Sequence, residues 1–487
     1  MLHFHTKKVN RKQFLQQSAR FGMALTAAAY PLANCKPSKK EEHLGLESAS
    51  DPSTEQYKFL KDVGKTYKGT KLTIITEDTP PSKAIKQLAG KEFSKITGIE
   101  VDWKLETLDK VLVQINQDSL RKVATNDIYY WDQAWVGKFA NDSIDPRKLL
   151  ENKDIAYPNY RFNDVLPTLV ESTATYKGRL VGIPYDIPIF ILMYRKDIFD
   201  KLGLSVPRTI REYLDVAQII TKEMAPKVYG TTAQWRPGHY SLECSMTSWL
   251  WAHGGSIFKQ NEESAINDEK GFVAMEYMLR LIQCMPPEAI QYDWYDEAKS
   301  FWEGRAAMYI SWGEYFPVFD NPKISKVVGL AETSPCPKEI SLRQKSECSF
   351  DETPGISHQG GSCLAISKYS KNVEAAWLFL QWATSADITV QASLLAGGAS
   401  PIRKSTFYDP RIQANDKVME GTTRHFKVTL DAIMNRMGTE PHLPSWSELA
   451  NNSFAIELGK MVSGLQGIKT TLDNMANDTR KAARSVK

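Results

Sequence analysis

Residues 176–212 constrain the fold more than any other stretch of the chain. A glycine-containing turn at 177–179 leads into a short apolar strand that ends at Pro184, and a second apolar run follows Pro188. Each proline fixes its own φ angle and disfavours helix at the residue before it, so the backbone stays extended here. Asp186 lies between the two prolines. The pattern indicates a crossing between two domains, with a carboxylate at the junction.

A helix is predicted to begin soon after this crossing. Thr209 and Glu212 have the spacing of a capping box, in which each side chain satisfies a backbone N–H of the first turn. The chain has 487 residues, which exceeds what one hydrophobic core usually organises. Two domains are therefore expected.

The first 35 residues have the composition of an export signal. They hold five basic residues and no acidic one, so removing them takes the formal net charge from +4 to −1 (+4 minus 5). A nucleic-acid partner thereby loses its compositional support. An apolar run at 21–32 precedes Cys35, which predicts lipidation of this cysteine and a membrane anchor. The alternative is a poorly folded amphipathic terminus.

Residues 11–15 resemble a twin-arginine export signal in which lysine replaces one arginine, so the export route stays open. Residues 36–68 are charged and polar, and we interpret them as a flexible tether between the anchor and the folded domains. Cys336 and Cys348 flank a short polar loop, and an oxidising compartment favours a disulfide between them. Neither the cysteines nor the histidines have metal-ligand spacing, and we predict neither a metal nor a cofactor.

Strands and helices alternate in the first third of the chain after the tether. Three apolar strands are predicted, at residues 72–76, 99–105 and 127–132. The alternation favours a parallel sheet with helices on both faces, and ligands bind such sheets beyond the carboxyl ends of the strands. Four candidate ligand-binding residues fall at these ends: Glu77, Asp78, Trp131 and Asp132.

Three later segments carry a family resemblance: residues 182–212, 302–308 and 364–376. Their order and spacing resemble extracellular solute-binding proteins of the sugar-transporter type, relatives of the maltose-binding proteins. The resemblance runs from about residue 72 to the C-terminus. It implies an α/β fold of two lobes, each a sheet flanked by helices, joined by several hinge crossovers. It also implies a ligand in the cleft, closure of the lobes, and delivery to the permease of an ABC importer.

The resemblance divides the chain into two discontinuous lobes. We expect lobe 1 to comprise 69–186 with 361–412, and lobe 2 to comprise 187–360 with 413–487. The section 321–359 departs from the family because it is long and contains two cysteines, and no structure is assigned to it. The expected form is a monomer.

A sugar site combines aromatic faces with polar side chains, because sugars present both C–H faces and hydroxyl groups. Further candidate ligand-binding residues are chosen for this chemistry, for their position in a crossing between the domains, or for their position in the family. They are Asp186, Trp235, Arg236, Glu243, Trp312, Glu314, Gly360, Gly361 and Arg403. Each also has a structural interpretation. The tryptophans suit a core, the two acids after the first strand suit a helix start, Asp186 suits a pair across the hinge, and Arg403 suits the surface.

The function predicted from these residues is binding of a carbohydrate, a disaccharide or oligosaccharide, without catalytic residues. A different class stays open, because Glu77 and Asp132 are paired carboxylates that could flank a glycosidic bond in a periplasmic carbohydrate-active enzyme. The same fold could also bind a polyol phosphate, a polyamine or a metal complex. A phosphate ligand requires clustered basic residues, and only Arg236 and Arg403 are candidates.

Overall fold

A computed structural model describes residues 52–259, 263–338, 356–396 and 400–485. The predicted export signal, Cys35 and Cys348 lie outside the described residues. Within the described part of the chain, no helix is long and apolar enough to cross a membrane.

The strands form two main sheets and two short pairs. Their bounds are β1 (Lys71–Glu77), β2 (Glu100–Glu106), β3 (Ile128–Asp132), β4 (Thr175–Tyr176), β5 (Arg179–Leu180), β6 (Ile183–Pro184), β7 (Phe190–Arg195), β8 (Met308–Trp312), β9 (Ala331–Ser334), β10 (Ser357–His358), β11 (Ser362–Ile366) and β12 (Met437–Gly438). The short pairs are β4 with β5 and β10 with β12.

Helices surround both main sheets. The longer ones are Pro52–Gly64, Pro80–Leu88, Leu108–Arg121, Pro167–Ala174, Ile210–Met224, Tyr240–Ala252, Glu269–Ile282, Trp294–Trp302, Val373–Ala383, Ala386–Ala396, Phe426–Asn435, Ala455–Val462 and Ile468–Ser485. The shorter α-helices are Ser94–Thr97, Val136–Phe139, Pro146–Leu150, Lys196–Leu202, Phe316–Phe319, Lys404–Phe407, Pro410–Ala414 and Trp446–Glu448. The capping box at Thr209 is confirmed, since its hydroxyl accepts from the backbone N–H of Glu212 at 3.1 Å and the Glu212 carboxylate accepts from that of Thr209 at 3.1 Å.

The first main sheet has the order β2-β1-β3-β11-β6. β1 pairs in parallel with β2 and β3, which agrees with the predicted parallel sheet, whereas β11 runs antiparallel to β3 and β6. All residues of β3 and β11 are buried, because these strands are covered on both faces. The carboxyl ends of β1 and β3 therefore meet at one edge of the sheet.

The second main sheet has the order β8-β7-β9, and both neighbours run antiparallel to β7. A cluster of buried apolar side chains from β7, β8 and the surrounding helices packs against it. β9 lies inside the section 321–359, to which the sequence assigned no structure. Its pairing with β7 decides its conformation, and this partner is more than 130 residues away in the chain.

Two extended segments connect the sheets side by side. The first runs from β6 to β7 through Asp186, and the second returns from β10 to β11 through Gly360. The backbone N–H of Gly360 donates to the carbonyl of Pro188 at 2.9 Å, and that of Ser362 donates to the carbonyl of Asp186 at 2.9 Å. Hydrogen bonds thus hold the two crossovers together as one narrow link between the sheets.

The tether prediction for 36–68 is wrong over its second half. Residues 52–64 form a helix whose Leu60 is buried in the core. Farther along, the hydroxyl of Tyr67 donates to the Glu374 carboxylate at 2.6 Å. Apolar residues at helical spacing, which the polar composition concealed, let this segment pack on the first sheet's helices.

Cys336 is a buried free thiol among the described residues, and its predicted disulfide stays a prediction because Cys348 lies outside them. The buried Sγ of Cys336 lies 3.4 Å from the carbonyl oxygen of Phe190, and this thiol donates there while accepting from the Ser357 hydroxyl.

Candidate functional site

A cavity of about 60 Å³ lies between the two sheets, next to the paired crossovers. It is lined by Glu77, Asp78, Thr79, Pro80, Leu108, Tyr130, Asp132, Pro188, Tyr240, Cys244, Trp294, Trp312, Glu314, Tyr315 and Gly360. Six of the residues predicted from the sequence are therefore brought together here: Glu77, Asp78, Asp132, Trp312, Glu314 and Gly360.

The first sheet contributes the ends of β1 and β3. Tyr130 and Asp132 lie on the same face of β3 because side chains alternate along a strand. The Tyr130 hydroxyl donates to the Glu77 carboxylate at 3.3 Å, and the Asp132 carboxylate accepts from the backbone N–H of Ala134 at 2.8 Å. Sequence reasoning missed Tyr130, although its two-residue spacing from Asp132 was the available signal.

The same alternation excludes Trp131 from the cavity, and its prediction as a ligand-binding residue is wrong. Its side chain points to the opposite face of β3, is 1% exposed, and packs against Phe139 with ring centroids 6.0 Å apart. Asp78 lines the cavity but is exposed and pairs with Lys83 at 3.0 Å. The cap of the following helix is Thr79, so the two acids before it do not have the capping role.

The second sheet contributes Trp312 and the residues that follow β8. The Trp312 indole N–H donates to the side-chain oxygen of Gln234 at 2.9 Å, and the ring packs against Phe190 at 4.3 Å between centroids. These contacts fix the ring at the cavity wall. Glu314 lies two residues later, is 8% exposed, and has one carboxylate oxygen, Oε2, without a hydrogen-bond partner.

Two helices complete the lining. Tyr240 and Cys244 lie one turn apart on the helix Tyr240–Ala252, and Trp294 begins the helix Trp294–Trp302. No local sequence motif marks these residues, because only tertiary packing brings them to the cleft. Tyr315 was missed although it is adjacent to Glu314.

Glycine is required at position 360 because the backbone there lies very close to the Trp312 ring. A Cβ atom added there would lie 2.7 Å from the Trp312 ring, shorter than any normal carbon contact. We expect Gly360→Ala to displace this ring and to weaken ligand binding at least tenfold, as measured by calorimetry. Gly467→Ala is the control, because a Cβ added at that position meets no atom within 4 Å. Unchanged affinity in Gly360→Ala would show that the ring position does not matter.

Three other predicted residues serve packing rather than the cavity. Trp235 is fully buried in the hydrophobic core. Arg236 is half-exposed and pairs with Asp293 at 3.5 Å. Gly361 allows the crossovers to pack, since an added Cβ would lie 2.7 Å from the Ile187 side chain.

The structure places Arg403 in neither of its two predicted environments, which are the ligand-binding site and the protein surface. Its guanidinium group is fully buried and donates to the carbonyls of Thr384 and Arg161 at 2.7 and 2.8 Å. It also lies 4.6 Å from the centre of the Tyr160 ring. These partners make it a structural cation away from the cavity.

The cavity is strongly acidic. Burial, together with repulsion from the nearby Asp186, raises the pKa of Glu77 to about 8. Burial likewise raises the pKa of Asp132 and of Glu314 well above their ordinary values, with added repulsion from Glu440 and from Asp186, respectively. Asp186 is buried behind the cavity, and burial raises its pKa to about 6. The charged forms of these groups are thus disfavoured until something neutralises them.

A second buried cluster borders the cavity at Cys244. Ligand atoms of Glu243, Cys244, His358 and Glu440 lie within 4.8 Å of one another, a donor set that Zn²⁺ accepts. Hydrogen bonds already organise it, because Glu440 accepts from the Tyr240 hydroxyl at 2.8 Å and contacts the His358 ring nitrogen at 2.9 Å. Burial and the nearby Glu440 raise the pKa of Glu243, which is fully buried and does not line the cavity.

Two sheets linked by paired crossovers, with an aromatic and acidic cleft between them, define a two-lobe solute receptor. The chain belongs to the bacterial extracellular solute-binding protein family, whose model matches residues 76–390. It is an exported solute-binding component of an ABC transporter, and the family consists of binding proteins rather than enzymes.

Individual relatives are distant in sequence. A probable amino-acid ABC transporter periplasmic-binding protein of Sinorhizobium fredii is 21% identical over 355 residues, 72% of this chain and 76% of the relative. The erythritol/L-threitol-binding protein of Mycolicibacterium smegmatis is 21% identical over 70% of this chain and 72% of its own length. A solute-binding protein of Agrobacterium radiobacter K84, solved with ribitol, superposes with a TM-score of 0.75 at 24% identity, covering 85% of this chain and 99% of that one.

Proposed function

We propose that the chain binds a sugar or polyol of monosaccharide size in the cleft and delivers it to an ABC permease. The observation that carries the proposal is the cavity itself, in which carboxylates of the first sheet face Trp312 and Glu314 of the second. Carboxylates accept hydrogen bonds from hydroxyl groups, and aromatic faces contact C–H groups. A polyhydroxylated ligand satisfies both surfaces at once.

The size of the cavity favours a small ligand over the disaccharide or oligosaccharide expected from the sequence. A buried water needs about 10–15 Å³ of such volume, so 60 Å³ corresponds to about four to six waters. Relatives known by their ligands include both sizes, since one binds erythritol or L-threitol, a structural neighbour holds ribitol and another holds maltose, so the proposal of a small ligand depends on the cavity volume.

The binding mechanism is a population shift between open and closed arrangements of the lobes. A ligand that contacts both sheets interacts fully only when they are close, so it favours the closed arrangement. The paired crossovers around Asp186 and Gly360 provide a narrow hinge for this motion. The proposal includes the lobe boundaries expected from the sequence, a monomer, and an anchor at a lipidated Cys35.

The proposal is tested by thermal-shift screening of ribitol, erythritol, mannitol and maltose, with calorimetry on each hit. A cognate ligand raises the melting temperature by mass action. Chromatography of the incubated ligand separates a receptor from a carbohydrate-active enzyme, because the receptor leaves it unchanged. Absence of any shift across polyols and monosaccharides, or turnover of the ligand, would contradict the proposal.

We expect anionic analogues to bind poorly, which tests the polyol phosphate alternative. A phosphate or carboxylate group in the cleft would face Glu77, Asp132 and Glu314, and none of the described residues that line it is lysine or arginine. Ribitol 5-phosphate and ribonate are therefore expected to bind at least tenfold more weakly than ribitol at pH 7, as measured by calorimetry. Stronger binding of either anion would show that the charge argument is wrong.

A further inference from the structure

The cleft contains more carboxyl groups than a neutral polyol requires. Glu77, Asp132 and Glu314 line it, and Asp186 lies directly behind. Among the described lining residues there is no lysine, arginine or histidine. Lys83 contacts the lining residue Asp78, but both side chains are about half-exposed, so their pairing leaves the interior acids uncompensated.

One carboxyl oxygen of Glu314 lacks a hydrogen-bond partner among the described residues. The side chain is 92% buried, and its Oε2 atom has no hydrogen-bond partner although it borders the cavity. A buried carboxylate without a partner costs several kcal/mol, so the group takes up a proton or pairs with a cation. In the ligand-free protein the raised pKa of Glu314 corresponds to the first outcome. The second outcome is available to a ligand that supplies a positive charge.

The aromatic residues that line the rest of the cavity are suited to binding a positively charged group. Five of the lining side chains are aromatic: Tyr130, Tyr240, Trp294, Trp312 and Tyr315. The face of an aromatic ring carries negative electrostatic potential and attracts ammonium groups, most strongly where water is excluded. Aromatic faces and unpaired carboxylates therefore act together on the same kind of ligand atom.

We infer that the preferred ligand is an amino sugar or amino polyol, with a protonated amine as well as hydroxyl groups. This inference rests on the proposed function and narrows it. The ammonium group pairs with the carboxylate of Glu314, while the hydroxyl groups of the ligand donate to Glu77 and Asp132. The ammonium group thereby replaces the proton of the Glu314 carboxyl group, which is released to solvent, and the closed arrangement of the lobes excludes water from the pair.

Matched probes test the inference by isothermal titration calorimetry at pH 7 on the full folded chain. One pair is D-glucitol and 1-amino-1-deoxy-D-glucitol, and the other is D-glucose and D-glucosamine, with N-acetyl-D-glucosamine as the uncharged derivative. We expect the amine of at least one pair to bind tenfold or more tightly than its hydroxyl partner, about 1.4 kcal/mol, and acetylation to abolish the gain. Equal or tighter binding of the hydroxyl compounds would overturn the inference and leave the proposed function standing.

Substitutions test whether the Glu314 carboxylate causes the preference for the amine over the hydroxyl ligand. Glu314→Gln keeps the shape of the side chain but removes its charge, and is expected to reduce the amine preference at least fivefold. Glu303→Gln, an exposed acid at the end of the helix Trp294–Trp302, should leave the preference unchanged. An amine preference that persists undiminished in Glu314→Gln would overturn the inference. Tight binding of putrescine, which has no hydroxyl group, with none of the sugars bound would contradict the proposed function itself.

Discussion

Replacing Trp312 with alanine is expected to weaken ligand binding by about 30- to 150-fold, because a ring at the centre of the cavity wall is lost. A buried aromatic anchor contributes on the order of 2–3 kcal/mol to binding. Its contacts to Phe190 and Gln234 show that the ring is positioned before ligand arrives. Calorimetry with the ligand found by screening measures the effect.

Two variants control this experiment. Trp312→Phe retains a ring and should recover part of the lost affinity. Tyr295→Ala removes a half-exposed aromatic side chain next to Trp294 that does not line the cavity, and its affinity should be unchanged. A melting temperature near that of the unsubstituted protein establishes that the variants fold. Full affinity in Trp312→Ala would remove the residue from the site.

The ligand-free protein is expected to lose stability as the pH rises from about 5 to 8, the interval between the unfolded and folded pKa of Glu77. Burial raises the pKa of Glu77 to about 8 in the folded chain, above the ordinary value of the unfolded chain. The contribution of such a group is fully present below the unfolded pKa and is lost as the pH rises through the folded pKa. The free energy of unfolding should therefore fall by up to about 1.4 kcal/mol per pH unit for each such group. Urea denaturation across this range measures the slope.

Substitutions test whether the carboxyl groups of the cleft cause this pH dependence of the free energy of unfolding. Glu77→Gln removes one titrating carboxyl, and should flatten the pH dependence and raise stability at pH 8.5. Glu303→Gln should retain the slope of the unsubstituted protein. A slope that is absent before any substitution would contradict the assigned burial of the cleft carboxyls.

The sequence predicted those parts of the fold that local patterns determine. The strands at the start of the first sheet, the helix after Thr209 and the proline-marked crossing all have signals within about 15 residues. The acids at the carboxyl end of β1 and β3 were predictable for the same reason, since strand ends converge in such sheets.

Other parts depend on contacts between distant segments. Tyr240 and Trp294 reach the cleft only through helix packing, and β9 exists because it pairs with β7. Arg403 has the sequence context of a surface turn, yet two carbonyls and the Tyr160 ring contact its guanidinium group in the interior. Trp131 lies near a strand end, but the alternation of side chains along β3 directs it away from the cavity and against Phe139.

A crystal structure of the protein with its bound ligand tests the central claim most directly. We expect ligand density in the cavity, with contacts to Glu77 or Asp132 from the first sheet and to Trp312 or Glu314 from the second. Ligand held by one sheet alone, or bound outside this cavity, would contradict the claim that the two lobes close on a shared solute.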